Sequence, residues 1–286
     1  TDRSRGLGDV YKRQLYEESM ALLEEAGIKI PGGKRTLLVP ARNFPVEVLF
    51  LRDDDIPESV ASGVADVGIV GLNEVMEKRC PVGILKKLGF GKCRLSLAIP
   101  QNIDYQDRNW FSGKKIATSY PGILSDYLHK NGIVSDIHVI TGSVEIAPGI
   151  RLADAIFDIV SSGSTLVSNR LKEVETVVES EAVLIGTDSI SPEKRGILDE
   201  LLFRFDSVQA ADDKKYILMN VPQKKLNDVL SVLPGIKSPT VMPLADKEWC
   251  SVHTVLDEKC FWEIINRLKT AGAEGILVLD IEKMIL

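Results

Sequence analysis

The stretch Asp154-Ala-Ile-Phe-Asp158-Ile-Val-Ser161-Ser162-Gly163-Ser164-Thr165-Leu166 decides how this chain is read. A β-type apolar run carries a carboxylate near its end and then breaks into small polar residues, whose backbone N–H groups nothing obstructs. At a turn or helix start such a run can wrap a phosphate, with the hydroxyls of Ser161, Ser162, Ser164 and Thr165 as further donors. Asp158, and with it Asp154, are candidates to hold ribose hydroxyls or a Mg²⁺ bound to a pyrophosphate, since Mg²⁺ takes few carboxylates and keeps phosphate oxygens. On spacing alone a capped loop with no ligand accounts for the same residues equally well.

Outward from this stretch the chain alternates strand and helix. Before it, Lys115 to Thr118 reads as a strand, Ile123 to Lys130 as a helix closed by Gly132, and Ile137 to Ile140 as a strand. Nearer the start, an amphipathic helix from Leu15 to Ala26 stops at Gly27. It is followed by short aliphatic strands at Leu37 to Pro40, Val46 to Leu51, Val67 to Val70, Gly83 to Phe90 and Leu95 to Ile99, with a helix at Ile56 to Ser62. Val174 to Val178 and Ala182 to Ile185 lack a helical period and read as strands returning to the first lobe. The expectation is an α/β fold of two lobes with a double crossing, which implies a hinge and a ligand cleft. Residues 15–97 and 183–206 form the first lobe in this reading, and 98–182 the second. After a helix from Pro192 to Gln209, the last segment (207–286) runs strand, helix, strand, strand, helix, strand, the ferredoxin-like βαββαβ order. Thr1 to Gln14 shows neither period, nor the apolar core of a signal peptide, so 1–14 is set outside the fold.

Composition narrows the classes. A formal charge of −6 argues against a broad grip on nucleic acid, which needs clustered Lys and Arg. No apolar run nears the roughly 18 residues of a membrane span. The four cysteines, Cys80, Cys93, Cys250 and Cys260, are scattered and read as free thiols of a reducing cytoplasm, and His129, His138 and His253 show no triad or metal spacing.

Three other polar segments stand out. In Arg52-Asp53-Asp54-Asp55-Ile56-Pro57, Asp55 suits a helix N-cap with Pro57 in the first turn, and Asp53 and Asp54 suit a solvated acidic turn. Thr118-Ser119-Tyr120-Pro121-Gly122 places Tyr120 at a strand end, to stack on a base or fill a corner. Gly142-Ser143-Val144-Glu145 offers a carboxylate after a strand, or a capping turn. Asp66-Val-Gly68-Ile-Val-Gly71 is a strand whose glycines permit close approach, but it is neither a dinucleotide fingerprint nor a Walker loop.

Taken in order, RDDDIP, ADVGIVG, CRLSLA, KKIATSYP, GSVEIAP, LADAIFDIVSSGSTL, SPTVMPL and GILVLDIEKM resemble the long form of ATP phosphoribosyltransferase, from about Leu15 to Leu286. The resemblance implies a catalytic part folded like a periplasmic binding protein and a regulatory domain at the C-terminus. It implies transfer of the phosphoribosyl group of phosphoribosyl pyrophosphate to N1 of ATP, the committed step of histidine synthesis, with Mg²⁺ held through the substrate pyrophosphate and no dedicated protein ligands. Asp158 to Leu166 would bind phosphoribosyl pyrophosphate, Asp154, Asp158 and Glu145 would serve catalysis, and Arg52, Asp66, Gly71, Arg94 and Tyr120 would line the ATP side. Asn220, Ser238, Thr240 and Gly275 fall where the family binds inhibitory histidine, in a homo-oligomer between dimer and hexamer. One departure is local: the family's Gly-Arg-Leu turn after its first strand reads Arg13-Gln14-Leu15 here. It leaves a catalytically impaired relative, or a two-lobed small-ligand-binding protein, as the alternative.

Overall fold

The structure is a computed structural model describing residues 7–31, 37–234 and 239–286, with the backbone alone at 7–12. The chain divides into two compact units, 1–199 and 200–286. The first opens with helix α1 (Leu7–Glu25), eight positions earlier than the periodicity suggests. Residues 7–14, expected outside the fold, are therefore helical. Short-range pairs from Arg13 to Glu17 and from Gln14 to Glu18 support this exposed turn, and Leu15, Leu22 and Leu23 bury the inner face. The helix ends where expected: Gly27 takes φ 74°, its N–H bonds Glu24 O, and Ile28 N–H reaches back to Leu23 O, a left-handed C-terminal cap.

Strands β1 (Leu38–Pro40) and β2 (Glu47–Leu49) pair antiparallel. Helix α2 (Ile56–Ala61), strand β3 (Val67–Gly71), helix α3 (Leu72–Lys78) and strand β4 (Gly83–Lys87) follow. Next come β5 (Cys93–Pro100), β6 (Lys115–Thr118), α4 (Pro121–Lys130), β7 (Asp136–Val139), β8 (Ala155–Val160), α5 (Ser164–Ser168), β9 (Leu171–Ser180) and β10 (Ala182–Gly186). Two sheets result. The first lobe holds β3-β10-β4 and the second β7-β6-β8-β5-β9, with β6 parallel to both β7 and β8 and β5 antiparallel to β8 and β9. The chain thus crosses between sheets at 88–92 and again at Glu181, the double crossing expected of the two-lobed periplasmic-binding-protein-like fold. Because β5 belongs wholly to the second sheet, the first crossing falls earlier than position 97. Strand β9 also stays in the second lobe, and β10 alone returns.

The second sheet is buried on both sides. Leu95, Leu97, Phe111, Ile116, Leu124, Phe157 and Ile159 pack on one face; Ala98, Ala117, Val144, Ile156, Val160 and Leu166 pack on the other. Every residue of β8 is buried, as the continuous apolar run of a central strand demands. Strand β9 has no clean alternation because its register against β5 shifts twice, between Leu95 and Ser96 and between Leu97 and Ala98. Each extra residue reverses the facing of the next, so Glu173 shares the face of Ala98 while Glu175, two residues on, lies opposite Leu97.

Helix α6 (Pro192–Ala211) leads into β11 (Lys214–Pro222), α7 (Leu226–Val232), β12 (Thr240–Pro243), β13 (Trp249–Asp257), α8 (Glu258–Ala271) and β14 (Glu274–Asp280). The sheet order is β12-β13-β11-β14, antiparallel throughout, which is the ferredoxin-like arrangement. Ile217, Met219, Val221, Cys250 and Val252 pack with Phe261, Ile264 and Leu268 of α8.

Candidate functional site

Strands β6, β7 and β8 run parallel, so their C-terminal ends share one edge of the second sheet, the usual ligand edge of such sheets. Thr118-Ser119-Tyr120, Gly142 to Glu145 and Ser161 to Thr165 all leave from that edge. Ser119 Oγ donates to Ile140 O at 3.0 Å and so ties the first two segments together. Three stretches remote in sequence thereby converge, the strongest sign of a site in this molecule.

The loop after β8 turns at Gly163, whose φ of 78° only glycine adopts without strain. Beyond it α5 begins, with the Ser164 N–H on Ser162 Oγ at 3.4 Å. Ser161, Ser162 and Ser164 are exposed, and the hydroxyls of Ser162 and Ser164 lie 2.9 Å apart. Leu166 is 2% exposed and packs in the core, so its side chain anchors the loop and offers a ligand only backbone. Asp158 lies on β8 at 5% exposure, opposite Ser96 of β5. Glu145, in a short turn following Ser143 (φ 51°), is 6% exposed, and its Oε2 is buried with no hydrogen-bond partner among the described residues. A buried carboxylate oxygen left unbonded is costly unless a ligand completes it.

Arg94, expected on the ATP side, is committed elsewhere. Its Nε and Nη2 bond the Glu173 carboxylate at 2.6 and 2.5 Å, and Nη1 donates to Ser161 O at 3.1 Å. Tyr120 is also corrected. Its ring is 5% exposed, within the core, and its hydroxyl donates to Glu74 Oε1 at 2.9 Å while accepting from Asn73 Nδ2 at 3.2 Å. Of the two roles the sequence allows, filling a corner is the one adopted, and no ring face is free for a base. Burial first, then the carboxylates of Glu74, Asp158 and Asp53, push the Tyr120 hydroxyl far above the usual phenol range, so it remains a donor.

This network joins the lobes through residues the sequence does not single out. Asn73 exchanges bonds with Ser180, at the second crossing, and the Glu77 carboxylate accepts the Gly122 and Ile123 N–H groups at 2.7 and 2.9 Å, capping α4 from α3. Arg79 pairs with Asp126 at 2.7 Å. No local pattern marks α3, because its polar face is turned inward. Tyr120→Phe removes the hydroxyl from this buried network and is expected to cost about 1–3 kcal/mol, read as a lower urea midpoint; an unchanged midpoint would show that the network does not stabilise the lobes.

Two further expectations fail on geometry. Asp154 is exposed at the start of β8, about 13 Å along the strand from Asp158, and its Oδ2 accepts the Lys115 N–H at 2.9 Å. Asp66 precedes β3, at the end away from Gly71, and pairs with Lys194 at 2.8 Å. Gly71, by contrast, opposes Ala182 beside the second crossing and precedes α3. Arg52 stays exposed with Asp54 at 3.3 Å, and Asp55 occupies the N-cap of α2 with Pro57 in the first turn.

In the second unit, Asn220 on β11 opposes Ser251, and Thr240 on β12 opposes His253, so one face of the sheet carries both. It is the face opposite α8. Asn220 Nδ2 lies 3.4 Å from where a side chain on Gly275 (φ 57°) would begin. His253 bonds Tyr216 at 2.6 Å and Ser251 at 2.9 Å through its two ring nitrogens, a satisfied histidine. Ser238 lies outside the described residues. Among those described, no group of three or more His, Cys, Asp or Glu has metal-site geometry, and no helix is long and apolar enough to cross a membrane. The four cysteines are free thiols.

Fold and site together define a two-lobed α/β protein of the periplasmic-binding-protein type, with a small-residue loop at one sheet edge of its second lobe and a ferredoxin-like domain after it. The sequence pattern of "ATP phosphoribosyltransferase" matches residues 52–207, and that of "HisG, C-terminal domain" matches 211–283. An ATP phosphoribosyltransferase of Bacteroides fragilis is 69% identical over 275 residues, covering 96% of this chain and 97% of that one. One of Bacteroides thetaiotaomicron is 68% identical over 274 residues, with the same coverage. Among solved structures, the ATP phosphoribosyl transferase (HisG:HisZ) complex from Thermotoga maritima superposes with a TM-score of 0.58 at 25% identity, over 67% of this chain and 92% of that one. The chain belongs to the ATP phosphoribosyltransferase family, and so to the pentosyltransferase enzymes.

Proposed function

We propose that this chain transfers the phosphoribosyl group of phosphoribosyl pyrophosphate to N1 of ATP with release of pyrophosphate, the first step of L-histidine biosynthesis. The observation that carries this reading is the convergence of the Gly163 loop with Asp158 and Glu145 at one sheet edge. The loop N–H and hydroxyl groups take the 5-phosphate, and Glu145 Oε2, otherwise unbonded, takes a ribose hydroxyl. Asp158 faces the sugar as positive charge develops at C1, where a fixed carboxylate in a dry setting is most effective. ATP is held from the first-lobe side, near Gly71 and Arg52. No covalent nucleophile is needed, since orienting the two substrates in line lowers the barrier by several kcal/mol, on the order of what proximity supplies.

Mg²⁺ suits this donor set, in which few carboxylates are present; bound to the pyrophosphate, it would neutralise part of that group's charge. The C-terminal domain binds histidine through Asn220, Thr240, Gly275 and Ser238, and inhibits only if histidine prefers one global state of a homo-oligomer, between dimer and hexamer. The setting is the cytoplasm. The test is direct. With ATP, phosphoribosyl pyrophosphate and Mg²⁺, phosphoribosyl-ATP is expected to form and to diminish when histidine is added. Absence of product would sink the catalytic reading; product indifferent to histidine would sink the regulatory one.

A further inference from the structure

The Glu173 carboxylate, half-buried in the second lobe, accepts four side-chain hydrogen bonds. It accepts Arg94 Nε at 2.6 Å, Arg94 Nη2 at 2.5 Å, Ser96 Oγ at 2.7 Å and Thr176 Oγ1 at 3.1 Å. Its strand bulges to bring it there: without the register shift at Leu97 and Ala98 it would face the side that Glu175 occupies, bonded to Tyr105 and Tyr127. The register partner of Arg94 is Glu179, but Arg94 passes it over and runs along the sheet to Glu173. With two of its nitrogens gripped in a planar fork, the guanidinium has one direction left for its third, and Nη1 points at Ser161 O. Ser161 is the first residue of the loop. The run Ser161 to Thr165 is small and exposed or half-exposed; Leu166 anchors it from below, and the Arg94 bond to this carbonyl holds it from the side.

We infer that Glu173 is a positioning residue for phosphoribosyl pyrophosphate, acting through Arg94 to fix the Ser161 carbonyl and hence the direction of the N–H groups that follow it. This rests on the assignment of the loop to that substrate. Ser96, which bonds Glu173 and opposes Asp158 across β5 and β8, extends the same support under the candidate catalytic carboxylate. The hydrogen bond from Arg94 chiefly holds the Glu173 carboxyl down at about 2, against the opposing effect of burial, so the fork stays charged wherever the protein is folded and working.

The charge sign makes the inference testable. Glu173→Gln removes a negative charge close to a site for a polyanion, so electrostatics alone predicts tighter binding. Positioning predicts the reverse. By titration calorimetry with Mg²⁺ present, Glu173→Gln is expected to weaken phosphoribosyl pyrophosphate binding by about tenfold and leave ATP affinity within about twofold, with the melting temperature little changed. Arg94→Lys keeps the charge but loses the fork, and is expected to lose about as much. Unchanged or tighter binding of phosphoribosyl pyrophosphate by Glu173→Gln overturns the inference, as does an equal loss for both substrates with a lowered melting temperature. If the unaltered chain binds no phosphoribosyl pyrophosphate, the loop assignment itself falls, and the inference with it.

Discussion

Asp158→Ala is expected to lower kcat by about a hundredfold to a thousandfold, the usual loss when a fixed group facing developing charge is removed. Asp158→Asn, which keeps the volume and one hydrogen-bonding oxygen, is expected to lose nearly as much, because the lost quantity is negative charge beside a positive sugar. KM values for both substrates should change far less than kcat, the mark of an interaction made mainly in the transition state. The fold should survive both changes, since the core-facing side chains Phe157 and Ile159 on either side of Asp158 are untouched. Unchanged steady-state kinetics in both variants would remove Asp158, and with it the loop, from the chemistry.

Phe157→Ala is expected to do the opposite. Phe157 adjoins Asp158 on the same strand but points into the other face, where it is fully buried against Leu97, Ile116 and Leu124. Truncation removes an aromatic ring from a closed core and leaves a cavity, at a cost of about 3–5 kcal/mol. In a unit of this size that lowers the melting temperature by on the order of ten degrees. Residual activity at low temperature should remain well above that of Asp158→Ala. A melting temperature within error of the unaltered protein would show that the second sheet does not bear the stability of the unit. Adjacent residues thus separate function from stability, because a strand sends successive side chains to opposite faces.

Most elements were legible because their cause is local. The βαββαβ order of the last segment, the helix stop at Gly27 and the strand at Ala155–Val160 follow from period, glycine and aliphatic runs, and they appear with ends shifted by a residue or two. The loop after β8 was legible as a loop for the same reason: small polar residues and a glycine break the apolar run of a buried strand. The early start of α1 was not, since a helix that buries little of its first turns carries little apolar period to read. Strand β9 reads as a strand within the second lobe and lies there, but its two register shifts erase the alternation that would show which face each of its side chains takes.

Among the candidate residues, chemistry was the guide, and chemistry does not say which end of a strand faces the site. Asp154 and Asp66 carry the right group at the wrong end. Tyr120 stands at the right edge, but its ring turns inward because Glu74 and Asn73, from the other lobe, complete its hydroxyl. Arg94 is near the site, with its donors already directed at Glu173 and Ser161.

By itself the sequence determined the secondary elements, the two-lobed and ferredoxin-like classes, and the residue types of the phosphate loop, since each depends on neighbours within a few positions. Only the tertiary structure decided which face of the sheet each carboxylate takes, how β9 registers on β5, and that Glu173 rather than Glu175 supports Arg94. Those outcomes depend on strand direction and register, which are set by pairings between residues as remote in sequence as Cys93 and Ser180, or Val67 and Gly186.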